Sequence, residues 1–114
     1  MPPSRTSFVV GPLPSPAFLL LVALSGADAH GYQLRKDLIE RSNGAIDLDP
    51  GSLYRLIFRL HEDGLIEDIP GEDARRRSYR ITTQGRRVLK SETDRMAGLV
   101  AQARSVRSPR PKRA

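Results

Sequence analysis

Arginine supplies most of the chemistry that this sequence offers. Arg55 and Arg59 stand four residues apart, and Arg75, Arg76 and Arg77 stand in a row. Guanidinium groups bind phosphates and the edge of guanine, so these residues favour a nucleic-acid partner. Three adjacent arginines contribute little to a fold, and we expect residues 75–77 to meet phosphates from the tip of a β-hairpin.

Groups suited to catalysis or metal binding are scarce. The chain has no cysteine, and its two histidines, His30 and His61, are far apart in sequence. There is no glycine-rich phosphate loop and no pair of carboxylates in an apolar setting. The sequence therefore predicts no enzyme, no catalytic residues, no metal site and no cofactor.

The charge is distributed unevenly along a chain of 114 residues, which is enough for one small domain. Residues 75–114 carry 13 Lys/Arg against 2 Asp/Glu, and residues 1–74 carry 6 against 11. A basic half on a small domain indicates a polyanion partner, either nucleic acid or an anionic membrane surface. Solubility alone is the alternative explanation of the charge.

A helix over about residues 50–63 would position the first two arginines. Asp49 is a good N-cap, Pro50 suits the first helical position, and Gly64 suits the left-handed position after the last turn. The helix has one apolar stripe, formed by Leu53, Leu56, Ile57 and Leu60. At 100° per residue, the opposite side carries Ser52, Arg55, Arg59 and Glu62, with Tyr54 on its flank.

The segments before this helix predict a flexible arm and two further helices. Residues 1–15 contain four prolines and read as a flexible N-terminal arm, although Phe8, Val9 and Val10 are able to dock on the body. Residues 16–24 form a buried helix that is too short to cross a membrane, and the many prolines before it argue against a signal peptide. A turn over residues 25–29 leads into a second helix ended by Gly44, and His30 reads as a capping or packing residue.

A hairpin over about residues 65–82 would carry the triple arginine. Residues 65–68 and 75–82 read as its strands, with a turn at 70–73. The order of three helices, a hairpin and a last helix predicts a winged helix-turn-helix over residues 16–83. The fold class is therefore mainly α with a small β-hairpin (α+β).

The end of the chain predicts a helix over residues 84–104, capped by Thr82 or Thr83, and a disordered basic tail over residues 105–114. The helix has a weak heptad seam. The seam consists of Leu89, Thr93, Met96, Val100 and Ala103, and we expect it to dimerise with help from the first helix of a partner. The expected dimerisation residues are Leu89, Met96, Leu99, Val100 and Ala103. Packing on its own domain is the alternative.

Three stretches in one order resemble the PadR-type transcriptional regulators. They are LLLVAL with SGADAHGYQL (residues 19–34), DPGSLYRLIFRLHEDGLIE (49–67) and RRRSYRITTQGRRVL (75–89). The resemblance implies a bacterial, cytoplasmic and nucleoid-associated homodimer that represses transcription from an inverted-repeat operator and is released by a small ligand or stress signal. The single C-terminal helix is similar to the short branch of the family.

The resemblance also implies which residues meet DNA. Ser52, Leu53 and Tyr54 match the start of the family's recognition helix, Tyr32 matches its second-helix tyrosine, and residues 75–77 match its wing. The expected DNA contacts from the first two groups are Tyr32, Gly51, Ser52 and Tyr54. Arg55 stands where the family usually has proline. Because Arg55 is nearer the helix start than Arg59, we expect Arg55 to read a base and Arg59 to contact the backbone. A winged-helix module that binds proteins instead of DNA is the alternative function.

Overall fold

Four helices and three short strands follow one another in the structure, a computed structural model that describes residues 7–9, 12–70 and 77–106. The helices are α1 (Ser15–Gly26), α2 (Gly31–Arg41), α3 (Pro50–Glu62) and α4 (Thr83–Ser105), and the strands are β1 (Ala29–His30), β2 (Ile66–Asp68) and β3 (Ser78–Ile81). This mainly helical fold with a small sheet confirms the predicted fold class. Several predicted features lie outside the described residues: Val10, Arg75, Arg76, most of the turn at 70–73, and residues 107–114.

Helix α1 lies at the centre of the core. It is apolar on nearly every side, and Ala17, Leu20, Leu21 and Leu24 are all buried, as expected for a helix surrounded by protein. It packs against α2, α4 and β3. Within the described residues, no helix combines the length and the apolar character needed to span a membrane.

The sheet has one more strand than the sequence predicts. Its order is β1-β3-β2, and both pairings are antiparallel. Ala29 and His30 pair with Tyr79 and Ser78, whereas we predicted a turn over residues 25–29. A segment of two residues has no hydrophobic periodicity to reveal it, and it becomes a strand because the second edge of β3 offers unpaired backbone groups.

A joint at the base of the wing connects α3, β2 and α4. Gly64 ends α3 with φ of +76°, as the sequence predicts. The Thr82 hydroxyl donates to the Gly64 carbonyl at 2.6 Å and accepts from the Gly85 N–H at 2.9 Å. The Thr82 N–H donates to the Leu65 carbonyl at 3.0 Å. Thr82 is thus the N-cap of α4 and also fixes the end of α3.

The N-terminal segment packs on the body in the part that is described, an arrangement that the sequence left open for Phe8 and that also includes Leu13. Phe8 and Leu13 are buried. The Phe8 N–H donates to Asp63 Oδ2 at 3.0 Å, and the Leu13 N–H donates to Glu92 Oε2 at 2.7 Å. The prolines in this segment only prevent a helix, while the partners that hold it lie 55 and 79 residues away along the chain.

Candidate nucleic-acid interface

The start of α3 is organised by its cap. Asp49 Oδ1 accepts the Ser52 N–H at 2.7 Å, and this hydrogen bond holds the pKa of the Asp49 carboxyl below its usual value. Pro50 occupies the first helical position. The predicted cap is confirmed, and because the cap fixes where α3 begins, it also fixes which residues form the exposed first turns of the helix.

One face of α3 is buried and the other is exposed. Leu53, Ile57 and Leu60 face the core. The exposed side carries a stripe whose members follow at intervals of three or four residues: Gly51, Arg55, Phe58 and Glu62. The guanidinium of Arg55 donates to the Ser52 hydroxyl at 3.1 Å. Arg55 therefore stands on the outer surface near the start of the helix, where the prediction put it.

Phe58 is the residue that our sequence reasoning missed. Its side chain is 63% exposed, although an aromatic residue in an amphipathic helix is more often buried. The signal was available, since Phe58 follows Gly51 by seven residues and Arg55 by three, which is the spacing of one helical face. We assigned the outer face to polar residues and did not consider an apolar one.

Arg59 lies at the border of the exposed face, where it meets the N-terminal segment. Its guanidinium carbon is 4.0 Å from the centroid of the Phe8 ring, a cation–π geometry. Arg59 also lines a shallow hollow on the outer face of α3, together with Gly51, Arg55 and Phe58. One face of the guanidinium is therefore stacked on the protein, while the residue still borders the predicted DNA surface.

Two tyrosines border the start of α2. Tyr54 is 52% exposed, and its hydroxyl group lies so near Gly31 that a Cβ at that position would stand only 2.7 Å from it. Gly31 thus lets the rings of α3 approach α2 closely. Tyr32 is 66% exposed, and Lys36 Nζ lies 5.6 Å from the centroid of its ring. The structure brings these two predicted residues to the surface at the meeting point of the two helices.

The base of the wing faces the exposed side of α3. A cavity of about 340 Å³ lies between them, and its lining includes Tyr54, Phe58, His61, Arg77 and Tyr79. Arg77 is exposed and reaches Asp68 Oδ2 at 3.5 Å. Burial raises the pKa of the Tyr79 phenol, and the nearby Asp68 carboxylate adds to this effect.

Helix α4 presents a second surface. Its first half packs on the body, where Val88 and Glu92 are buried. From residue 97 to residue 106 every residue is exposed. The predicted dimerisation residues therefore divide: Leu89 and Met96 are half-buried, and Leu99, Val100 and Ala103 are exposed.

Among the described residues there is no group of three or more His, Cys, Asp or Glu side chains arranged to hold a metal ion.

Comparison with known proteins gives the family. The model of the transcriptional regulator PadR-like family matches residues 20–91. An uncharacterised protein of Lysinibacillus sphaericus is 27% identical over 88 residues, which is 75% of this chain and 78% of that protein. The structure of a transcriptional regulator from Clostridium thermocellum is 25% identical, with a TM-score of 0.66 over 80% of this chain and 92% of that one.

A PadR-like transcriptional regulator from Bacillus cereus strain ATCC 14579 shares the fold, with a TM-score of 0.69 at 21% identity over 82% of this chain and 92% of that one. The matched residues, 20–91, run from α1 into α4 and so include α3 and both strands of the wing. The family is one of transcriptional regulators and not of enzymes, as the sequence predicts. The chain belongs to the PadR-like family of transcriptional regulators.

Proposed function

We propose that this regulator binds double-stranded DNA sequence-specifically, with α3 in the major groove and the wing on the neighbouring backbone. The observation that carries the proposal is that the exposed face of α3 and the base of the wing border one cavity, with Tyr54 and Phe58 on one side and Arg77 on the other. A helix whose outer face is covered by none of the described elements fits the major groove. The adjoining hairpin then meets phosphates.

Arg55 and Arg77 have different roles in this arrangement. Arg55 projects from the first turns of α3, which usually enter the groove, and its planar group suits the O6 and N7 atoms of guanine. Arg77 is exposed at the base of the wing and would contact phosphate, with Arg75 and Arg76 beside it in the sequence. Arg59, stacked on Phe8 at the border of the face, is proposed as a backbone contact.

The exposed end of α4 supports a homodimer. Leu99 and Val100 are 52% and 46% exposed on a helix that carries no other described element at this end. Two copies joined along α4, with α1 of the partner completing the interface, would present two recognition helices to an inverted repeat. The half-site centres should lie about 34–36 Å apart, one turn of DNA. A monomer in sedimentation at micromolar concentration, with one half-site protected, would contradict this.

The regulatory role proposed for the dimer rests on the family. We infer that it acts as a repressor on the bacterial nucleoid in the cytoplasm, and that a small ligand or stress signal releases it from DNA. The test is a reporter gene whose promoter contains the operator found by binding-site selection. The regulator should lower the expression of this gene. Increased expression in its presence would identify an activator instead.

A protein-binding winged-helix module is the second candidate, and the exposed rings of Tyr32, Tyr54 and Phe58 favour it, because aromatic residues are enriched at protein interfaces. A shift assay on random duplex at increasing salt separates the two functions. A DNA-binding protein loses affinity steeply as salt rises, since it releases counterions from the phosphates. If this protein shifts no duplex at low salt, DNA binding is contradicted and the protein-binding module is favoured.

Binding-site selection then tests the role of Arg55. Arg55→Ala should relax the preference at one base pair of each half-site, by about 1–3 kcal/mol of discrimination. The matched control is Lys90→Ala, which removes one positive charge from α4, where Lys90 pairs with Asp94 at 3.0 Å. Circular dichroism checks the fold of both variants. If Arg55→Ala selects the same sequence as wild type with only weaker affinity, Arg55 does not read a base.

A further inference from the structure

Phe58 occupies the middle of the surface proposed to enter the groove. It lies on the exposed stripe of α3 between Arg55 and Glu62, and its side chain is 63% exposed. It borders the shallow hollow of about 440 Å³ beside Gly51 and Arg55, and it also borders the cavity on the wing side. The ring therefore forms a ridge between two depressions and is not covered by any described element.

An apolar ridge in the major groove has one natural partner among the bases. Thymine alone presents a methyl group there, at C5, and apolar side chains recognise it by contact. The other bases lack this methyl group, and their major-groove edges are dominated by hydrogen-bond donors and acceptors that a phenyl ring cannot satisfy. A ring placed against those edges would desolvate them without replacing their hydrogen bonds.

We propose that Phe58 is a specificity-determining residue that reads a thymine through its C5-methyl group. This rests on the proposed DNA binding by α3. Phe58 stands three residues after Arg55, which is about 4.5 Å along a helix axis, and base pairs rise by about 3.4 Å along one strand. The thymine should therefore lie within one or two base pairs of the guanine that Arg55 reads.

Replacing thymine by uracil in the selected operator tests the proposal, because uracil lacks only the C5-methyl group. Each thymine of the duplex is replaced singly, and the affinity of the wild-type protein is measured by fluorescence anisotropy at fixed salt. One replacement in each half-site, within two base pairs of the Arg55 guanine, should weaken binding about fourfold, as expected for one buried methyl group. Replacements of thymines outside the operator should leave the affinity unchanged.

The same scan on Phe58→Ala should show no uracil effect at that position, while Phe58→Leu, which keeps an apolar side chain, should retain part of it. An uracil effect of equal size in Phe58→Ala would overturn the proposal, as would a wild-type scan in which no thymine near the guanine matters. If Phe58→Ala fails to fold, the wild-type scan and the scan on Phe58→Leu still test whether Phe58 reads the thymine methyl group. A wild-type protein that selects no duplex at all would overturn the proposed function itself, which is a distinguishable result.

Discussion

Substituting Gly85 by alanine should weaken the joint between the wing and α4. Gly85 is buried in the first turn of α4. A Cβ at this position would overlap the Leu65 carbonyl oxygen and lie 2.7 Å from Ile81 Cγ1. Two backbones approach too closely here for any side chain, and the obstructing group is a backbone carbonyl that cannot rotate away.

The size of the effect follows from two opposing terms. Alanine favours a helix over glycine by up to about 1 kcal/mol. Overpacking usually costs about 1–3 kcal/mol, occasionally more, and moving the Leu65 carbonyl also weakens its hydrogen bond from the Thr82 N–H, at about 0.5–1.5 kcal/mol. Together these terms leave a net loss of about 0.5–3.5 kcal/mol. Because the obstructing group is a backbone carbonyl, we expect Gly85→Ala to lie in the upper part of this range, at about 2–3 kcal/mol, which is a large share of a typical free energy of unfolding of about 5–15 kcal/mol.

Gly98→Ala is the matched control, because it makes the same change in the same helix. No atom of the described residues lies within 4 Å of a Cβ at Gly98, so this variant should gain up to about 1 kcal/mol in its free energy of unfolding. Thermal and urea denaturation followed by circular dichroism, at one protein concentration, measures both variants. The melting temperature should fall by about 6–15 °C for Gly85→Ala and rise by about 3–5 °C for Gly98→Ala. Our reading of the joint is wrong if Gly85→Ala unfolds at or above the wild-type temperature.

Three further predictions concern the N-terminal segment and the wing. The hydrogen bonds from Arg95 hold the pKa of Glu92 below its ordinary value of 4.5. The ionised carboxylate therefore stabilises the fold above pH 4.5, and this stabilisation is lost as the pH falls through the folded-state pKa. In denaturation experiments, Glu92→Gln should be less stable than wild type at pH 7 and nearly equal to it at the lowest accessible pH. Phe8→Ala should lower the free energy of unfolding, measured in urea, by about 1–3 kcal/mol, which is less than in a closed core because the segment can move away. Val9→Ala, at a position that is 40% exposed, should change this free energy little. Equal losses in the two variants would contradict the docked arrangement. Arg77→Ala should lower the slope of log affinity against log salt by about one unit for each subunit bound, without altering the selected sequence. An unchanged slope would mean that Arg77 meets no phosphate.

The features that the sequence predicts correctly are those with local causes. Asp49 caps α3 because its side chain reaches the N–H of Ser52 three residues later, and Gly64 ends α3 because glycine tolerates positive φ. Thr82 caps α4 for the same kind of reason. In each case the residue type and its immediate neighbours contain the whole explanation.

The features that sequence reasoning misses depend on distant partners or on surface roles. Strand β1 exists because β3 offers it a free edge, and β3 begins at Ser78, 49 residues after Ala29. Phe8 is held by the Asp63 carboxylate, just after α3, and by the Arg59 guanidinium in the last turn of α3. The sequence allows Phe8 to dock, but no pattern around residue 8 reveals these partners. Phe58 departs from the rule that apolar residues of a helix face inward, and such departures concentrate at functional surfaces.

The Thr82 joint has a geometric consequence for the operator. Helix α4 has 23 residues, which makes it about 35 Å long, and in the proposed dimer it acts as a lever between the recognition helix at one end and the partner at the other. A rotation of about 5° at the joint would displace the far end by about 3 Å, nearly the 3.4 Å rise of one base pair. In the proposed dimer, tolerance for half-sites one base pair closer or farther apart would therefore depend on the angular stiffness of this joint, which combines the hydrogen bonds of Thr82 to Gly64, Leu65 and Gly85 with the packing of the first half of α4 on α1.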